Sequence, residues 1–113
     1  MAGEQLGTEA MTEAQIQKAT LDLVNASGRA RVHRQNTGRR GRVSFGLCVG
    51  SSDIIGWDLI GGRFVAIEIK VPGKEPDEAQ AAFLEAVNRA GGIGIWGSDP
   101  LSIMAELQRR LRP

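Results

Sequence analysis

Asp53, Glu68 and Lys70 stand at a spacing that a β-hairpin would close. Two carboxylates can hold Mg²⁺, which takes one or two protein carboxylates and otherwise keeps its water. A lysine beside them can orient or deprotonate an attacking water, or stabilise charge developing on a phosphate. Metal-assisted phosphodiester hydrolysis needs those parts. Taken singly, each residue has a plainer reading. Glu-x-Lys is a common polar strand face, and an aspartate after Gly-Ser-Ser often caps a turn. The chemistry therefore depends on whether the chain brings the three together.

The elements that would do so can be read from periodicity. Residues 53–60 read as one strand and 63–71 as its partner, with Gly61-Gly62 as the turn between them. The start of the first strand then lies opposite the end of the second, which puts Asp53 beside Glu68 and Lys70. On the second strand Val65, Ile67, Ile69 and Val71 share one face, and Phe64, Ala66, Glu68 and Lys70 the other. The apolar face marks a central strand, whose opposite face is also expected to lie under a helix. Burying Glu68 and Lys70 there without a partner would be costly, and a metal supplies one.

The first helix is expected from Thr12, with Thr12 and Gln15 in capping-box spacing. Ile16, Ala19, Thr20, Leu23 and Val24 recur along it, and Gly28 supplies a left-handed stop. Residues 30–34 read as a half-exposed strand, 36–41 as a turn-rich loop and 43–47 as a short strand. A second helix begins near Asp77, carrying Ala79, Ala82, Phe83, Ala86, Val87 and Ala90 as its stripe, and Gly91-Gly92 ends it. Residues 93–96 form another strand. A last helix follows, with Ser98 as cap, Pro100 in its first turn, and Leu101, Met104 and Leu111 inward. The order α-β-β-β-β-α-β-α implies an α/β fold, a mixed β-sheet flanked by helices. Residues 1–11 read as a flexible lead-in and 12–113 as a single domain.

The net charge of +1 conceals a segregation. Residues 29–42 hold six arginines and His33 with no acid, leaving −5 for the rest. Such asymmetry speaks to partners rather than fold: either a solvated loop or an arm that contacts phosphate. Arg109, Arg110 and Arg112 read as a solvated helix end. No apolar run reaches the roughly 20 residues of a membrane span, and the opening residues lack a secretory pattern. Cys48, the only cysteine, excludes an internal disulfide, and no Cys/His cluster has zinc spacing. The glycine-rich 46–52 lacks the Gly-Lys-Ser/Thr of a nucleotide loop. His33, alone among basic residues, is expected at the surface or facing DNA. Trp96 and Phe83 are expected in the core, and Trp57 against a base or in a dimer contact.

Asp53 followed by Glu68-Ile69-Lys70 resembles the Asp…Glu-x-Lys motif of restriction-endonuclease-like nucleases. Further short motifs stand in order around it: Arg34-Gln35-Asn36-Thr37-Gly38, Phe45-Gly46, Gly50-Ser51-Ser52-Asp53-Ile54-Ile55-Gly56, Gln80 and Ala90-Gly91-Gly92. Together, from about residue 12 to 97, they resemble the virus-type replication-repair nuclease (VRR-NUC) domain. The resemblance implies a restriction-endonuclease-like core and a Mg²⁺- or Mn²⁺-dependent endonuclease acting on branched or structured DNA. It further implies a homodimer similar to Holliday junction resolvases, working in the cytoplasm (that of a bacterial host, if phage-encoded).

Carried over by residue, the resemblance implies that Asp53, Glu68 and the Ile69 carbonyl hold metal and that Lys70 is the catalytic lysine. Glu13 is the candidate for an N-terminal helical glutamate at the metal. Its plainer reading is a first-turn acid that favours the helix dipole. Gln80 matches a site glutamine on the following helix, or else partners Asp77 in a capping box. Arg34, Asn36 and Ser51 match family positions, and Arg34 with Arg39, Arg40 and Arg42 would contact phosphate. The rival reading from another class is a non-catalytic DNA-binding module that uses the same basic segment; another is a nuclease preferring flaps or splayed ends.

Overall fold

The computed structural model describes residues 10–35, 38–40, 43–45 and 48–111, with backbone alone at 38–40 and 43–45. Three helices and six strands follow in order: α1 (Glu13–Ser27), β1 (Ala30–Arg34), β2 (Gly38–Arg40), β3 (Val43–Phe45), β4 (Ile54–Asp58), β5 (Phe64–Ile69), α2 (Glu78–Arg89), β6 (Ile93–Gly97) and α3 (Pro100–Leu111). The fold is α/β. Its main sheet has the order β1-β4-β5-β6, antiparallel between β1, β4 and β5 and parallel between β5 and β6. One expectation is corrected here. Residues 38–40, read as part of a loop, form β2, which pairs with β3 in a separate two-stranded sheet. The order therefore gains a strand.

α1 and α3 share one face of the main sheet, where Ile16 and Val24, then Ile103 and Leu107, close over Val65, Ile67 and Ile69. α2 lies on the other face, where Leu84 and Val87 bury Ala66. β5 is thus covered on both sides, as its apolar alternation requires. α2 comes close enough that a Cβ at Gly94 would lie 2.8 Å from the Leu84 carbonyl oxygen. Only glycine lets helix and strand approach so closely.

At each edge of the main sheet an asparagine bridges one residue of the edge strand. Asn25 on α1 donates to the Val32 carbonyl at 3.0 Å and accepts from the Val32 N–H at 2.8 Å. Asn88 on α2 does the same for Gly94 on β6, at 3.2 and 2.7 Å. An edge strand's outward N–H and C=O would otherwise stay unpaired and invite another strand. The β4–β5 turn has its own clamp in Asp58, whose side chain is buried. Its carboxylate accepts from the N–H groups of Ile60 (2.8 Å), Gly61 and Arg63 (2.9 Å), and from Arg63 Nε at 2.9 Å. Burial disfavours the charge, but the Gly61 N–H, the Arg63 side chain and the other amides outweigh it and hold the carboxyl at about 2.

Local expectations hold at the caps of the first two helices. Thr12–Gln15 and Asp77–Gln80 both form reciprocal capping boxes, and Gly28 ends α1 at φ 72°. Three others are corrected. The buried residues of α2 are Leu84 and Val87; Phe83 is half-buried, while Ala79, Ala82, Ala86 and Ala90 are exposed. α3 is capped by Asp99 rather than Ser98, through the Ser102 N–H at 2.9 Å, and Leu101 is exposed while Ile103 and Leu107 point inward. Trp96 is 45% exposed, because β6 is an edge strand rather than an interior one.

Candidate active site

The hairpin keeps Asp53 on the face of Glu68 and Lys70, but its turn is corrected. Residues 59–62 link the strands rather than Gly61-Gly62 alone, which sets Asp53 opposite Glu68 instead of two residues further on at Lys70. Ile54 pairs with Ile67, so one further step of the register sets Asp53 opposite Glu68. Asp53 Oδ2 accepts from the Ile69 N–H at 3.0 Å, which ties its carboxylate to β5. Lys70 Nζ lies 3.7 Å from Glu68 Oε2, the lysine side chain being largely covered. The backbone at Lys70 is fixed from the other side, its N–H donating to the Gly97 carbonyl at 2.9 Å.

Glu68 is 1% exposed, and among the described residues its Oε1 meets no hydrogen-bond donor. Burial first, then the charge of Asp53, push its carboxyl up to about 8. Lys70 opposes the shift, while Glu13 adds to it. Glu13, exposed at the first turn of α1, acts on Glu68 through its charge. A carboxyl held this way and left without a donor is expensive unless a cation or proton completes it.

The approach to Asp53 is built by Gln35, to which sequence reasoning gives no role. Gln35, just after β1, donates through Nε2 to Ser51 Oγ at 3.0 Å and to the Ser52 carbonyl at 2.8 Å. Its N–H donates to the Asp53 carbonyl at 2.7 Å. Gln35 therefore fixes all three residues leading into the carboxylate. Its only sequence signal is its place between Arg34 and Asn36. Gly50, at φ +89°, brings this segment against α2, where a Cβ would sit 2.8 Å from the Ala79 carbonyl oxygen.

The remaining candidates divide. Ser51 is buried and held by Gln35, so it stands in the wall of the site rather than on an open surface. Gln80 lies beside this segment on α2, but its carboxamide oxygen accepts from the Asp77 N–H at 2.9 Å, the capping role. Arg34 is exposed at the end of β1. Arg39 and Arg40 lie on β2, their side chains outside the described residues, as are Asn36 and Arg42 altogether.

Among the described residues, no group of three or more His, Cys, Asp or Glu side chains converges closely enough to hold a metal. Asp53 and Glu68 form a pair, with Glu13 acting on Glu68 through its charge. Among the same residues no helix is long and apolar enough to cross a membrane. Comparison with models of known protein families and with curated protein sequences gave no match.

Proposed function

We propose that the chain is a divalent-metal-dependent, structure-specific DNA endonuclease of the VRR-NUC kind, built on a restriction-endonuclease-like core and acting as a homodimer. The observation that carries this reading is Glu68: a buried carboxyl with one oxygen lacking a donor, beside Asp53 and 3.7 Å from the Lys70 amine. A structural carboxylate would be satisfied like Asp58, with five donors around it. The partner that Glu68 Oε1 lacks among the described residues is one that a cation would supply.

Asp53, Glu68 and the Ile69 carbonyl would hold the ion, Mg²⁺ or Mn²⁺. A pair of carboxylates suffices for such ions, which otherwise keep water. When bound, the ion supplies Lewis-acid stabilisation of the phosphate charge. The chain's own residues do the rest. The Ile69 N–H holds Asp53 in place, Gln35 fixes the segment behind it, and Lys70 offers an ammonium to the scissile phosphate or to the water attacking it. Glu13 adds negative charge that favours the cation.

The test is a labelled branched DNA incubated with protein in Mg²⁺, in Mn²⁺ and in EDTA. Cleavage with either metal and none in EDTA is the expected result. Tight binding without cleavage in any of them would leave only a DNA-binding module.

A further inference from the structure

The face of the sheet that carries Asp53 and Glu68 continues past α2. By register, Arg31 pairs with Trp57, His33 with Ile55, and Trp57 with Phe64, so all of these side chains share that face. α2 covers Ala66 and packs partly on Ile55, and beyond them its Phe83, Ala86, Val87 and Ala90 flank Phe64 across an open pocket. Trp57 is 46% and Phe64 39% exposed. The His33 ring lies 6.1 Å from the Trp57 ring, tilted by 40°. Two large aromatic side chains set as a direct cross-strand pair, with an imidazole and a guanidinium beside them, are not scattered surface apolarity.

We infer that Trp57, Phe64 and His33, flanked by Arg31, form a stacking platform for unpaired bases of a nucleic-acid strand. Ring faces accept any base, and an adjoining cation meets the backbone phosphates. Charge selects this occupant over an apolar peptide or a second copy. On this sheet face, among the described residues, the acids are Asp53 and Glu68 at one end, and the charged side chains that line the pockets around Trp57 and Phe64 are basic: Arg34 and Arg63. Asp58, close by in sequence, is buried and neutralised by Arg63. Trp57 lies four residues along β4 from Asp53, about 13 Å at strand rise, so one strand can lie on both. The inference rests on the nuclease reading for what lies at the far end of the platform, and it names the part of the substrate held there.

The experiment uses Trp96→Phe protein in EDTA, where Trp57 is the sole tryptophan, titrated with oligo-dT and separately with a blunt duplex of equal nucleotide count. Expected are quenching of Trp57 by oligo-dT and, by anisotropy of labelled DNA, a ten- to hundredfold weaker oligo-dT affinity in Trp57→Ala. Trp57→Phe should recover most of that affinity, and duplex affinity should change less than twofold. Unchanged Trp57 emission at saturating oligo-dT overturns the proposal, as does equal loss of duplex binding. Conversion of a dimer to a monomer by Trp57→Ala, with oligo-dT affinity intact, also overturns it and assigns the face to a second copy. Should Trp57→Ala not fold, the emission titration decides alone. Because the readout is binding in EDTA, the two claims fail separately. Cleavage without a Trp57 response removes the platform only; a response without cleavage in Mg²⁺ removes the nuclease only.

Discussion

Glu68 is placed against its own stability. Its carboxyl, ordinarily near 4.5, is raised to about 8 by burial and by Asp53. The folded chain therefore holds a proton that the unfolded chain loses, and stability falls as pH rises from about 4.5 to about 8. Glu68→Gln removes this penalty while keeping the shape. We expect the variant to melt higher than wild type at pH 8 in EDTA, with the gap closing below pH 4.5, while losing cleavage. A lower melting temperature at pH 8 would contradict the assignment of Glu68 as a strained, unsatisfied carboxyl. That Asp53 shares a face with Glu68 was legible in the sequence because strand alternation survives a register shift of two. The register itself was not, since the turn takes four residues rather than two. Gln35 was not legible, since a glutamine after a strand carries no local signal for bonds made 16 and 17 residues away.

At the scale of elements, two devices hold the sheet that carries the site. Asp58 clamps the β4–β5 turn. Its pKa is lowered from 3.8 to about 2, so its contribution is present above pH 4 and lost as pH falls through about 2. Neutralising it in Asp58→Asn is expected to cost about 2 kcal/mol at pH 7, read by urea unfolding, with the deficit shrinking below pH 3. An asparagine bridges one residue at each edge. Asn25→Ala and Asn88→Ala each strip both partners from one edge residue, Val32 or Gly94, and are expected to cost about 1–3 kcal/mol. A cost under about 0.5 kcal/mol in both would show that water replaces them. Neither bridge was visible beforehand, because nothing near an asparagine inside a helix announces a partner strand. The stripe of α2 was misplaced for a related reason. Its alanines are small enough for either face, and Leu84, absent from the expected stripe, fixes the rotation. Capping boxes were legible because both partners lie within one turn.

For the whole molecule, near-neutrality is a cancellation. Six arginines and no acid lie in residues 29–42, and β1, near the start of that segment, pairs with the strand that Asp53 leads into. Under the proposed function, a bound divalent ion would make the site locally positive where a DNA strand would approach. Neutralising Arg39, Arg40 and Arg42 is expected to weaken DNA binding and to flatten its log–log salt dependence, by about 0.9 for each duplex phosphate no longer neutralised. Unchanged salt dependence would place those arginines off the interface.

In the proposed mechanism Asp53 would hold the metal and Lys70 would act on the phosphate or the attacking water, and neither is needed to hold the DNA. Single-turnover cleavage of a labelled four-way junction in Mg²⁺, with junction affinity measured in parallel, tests this most directly. Asp53→Ala and Lys70→Ala are expected to abolish cleavage and leave affinity within about threefold of wild type, well under the roughly 1.4 kcal/mol of a tenfold change. Cleavage that survives Lys70→Ala, or is lost only in step with binding, would contradict that mechanism.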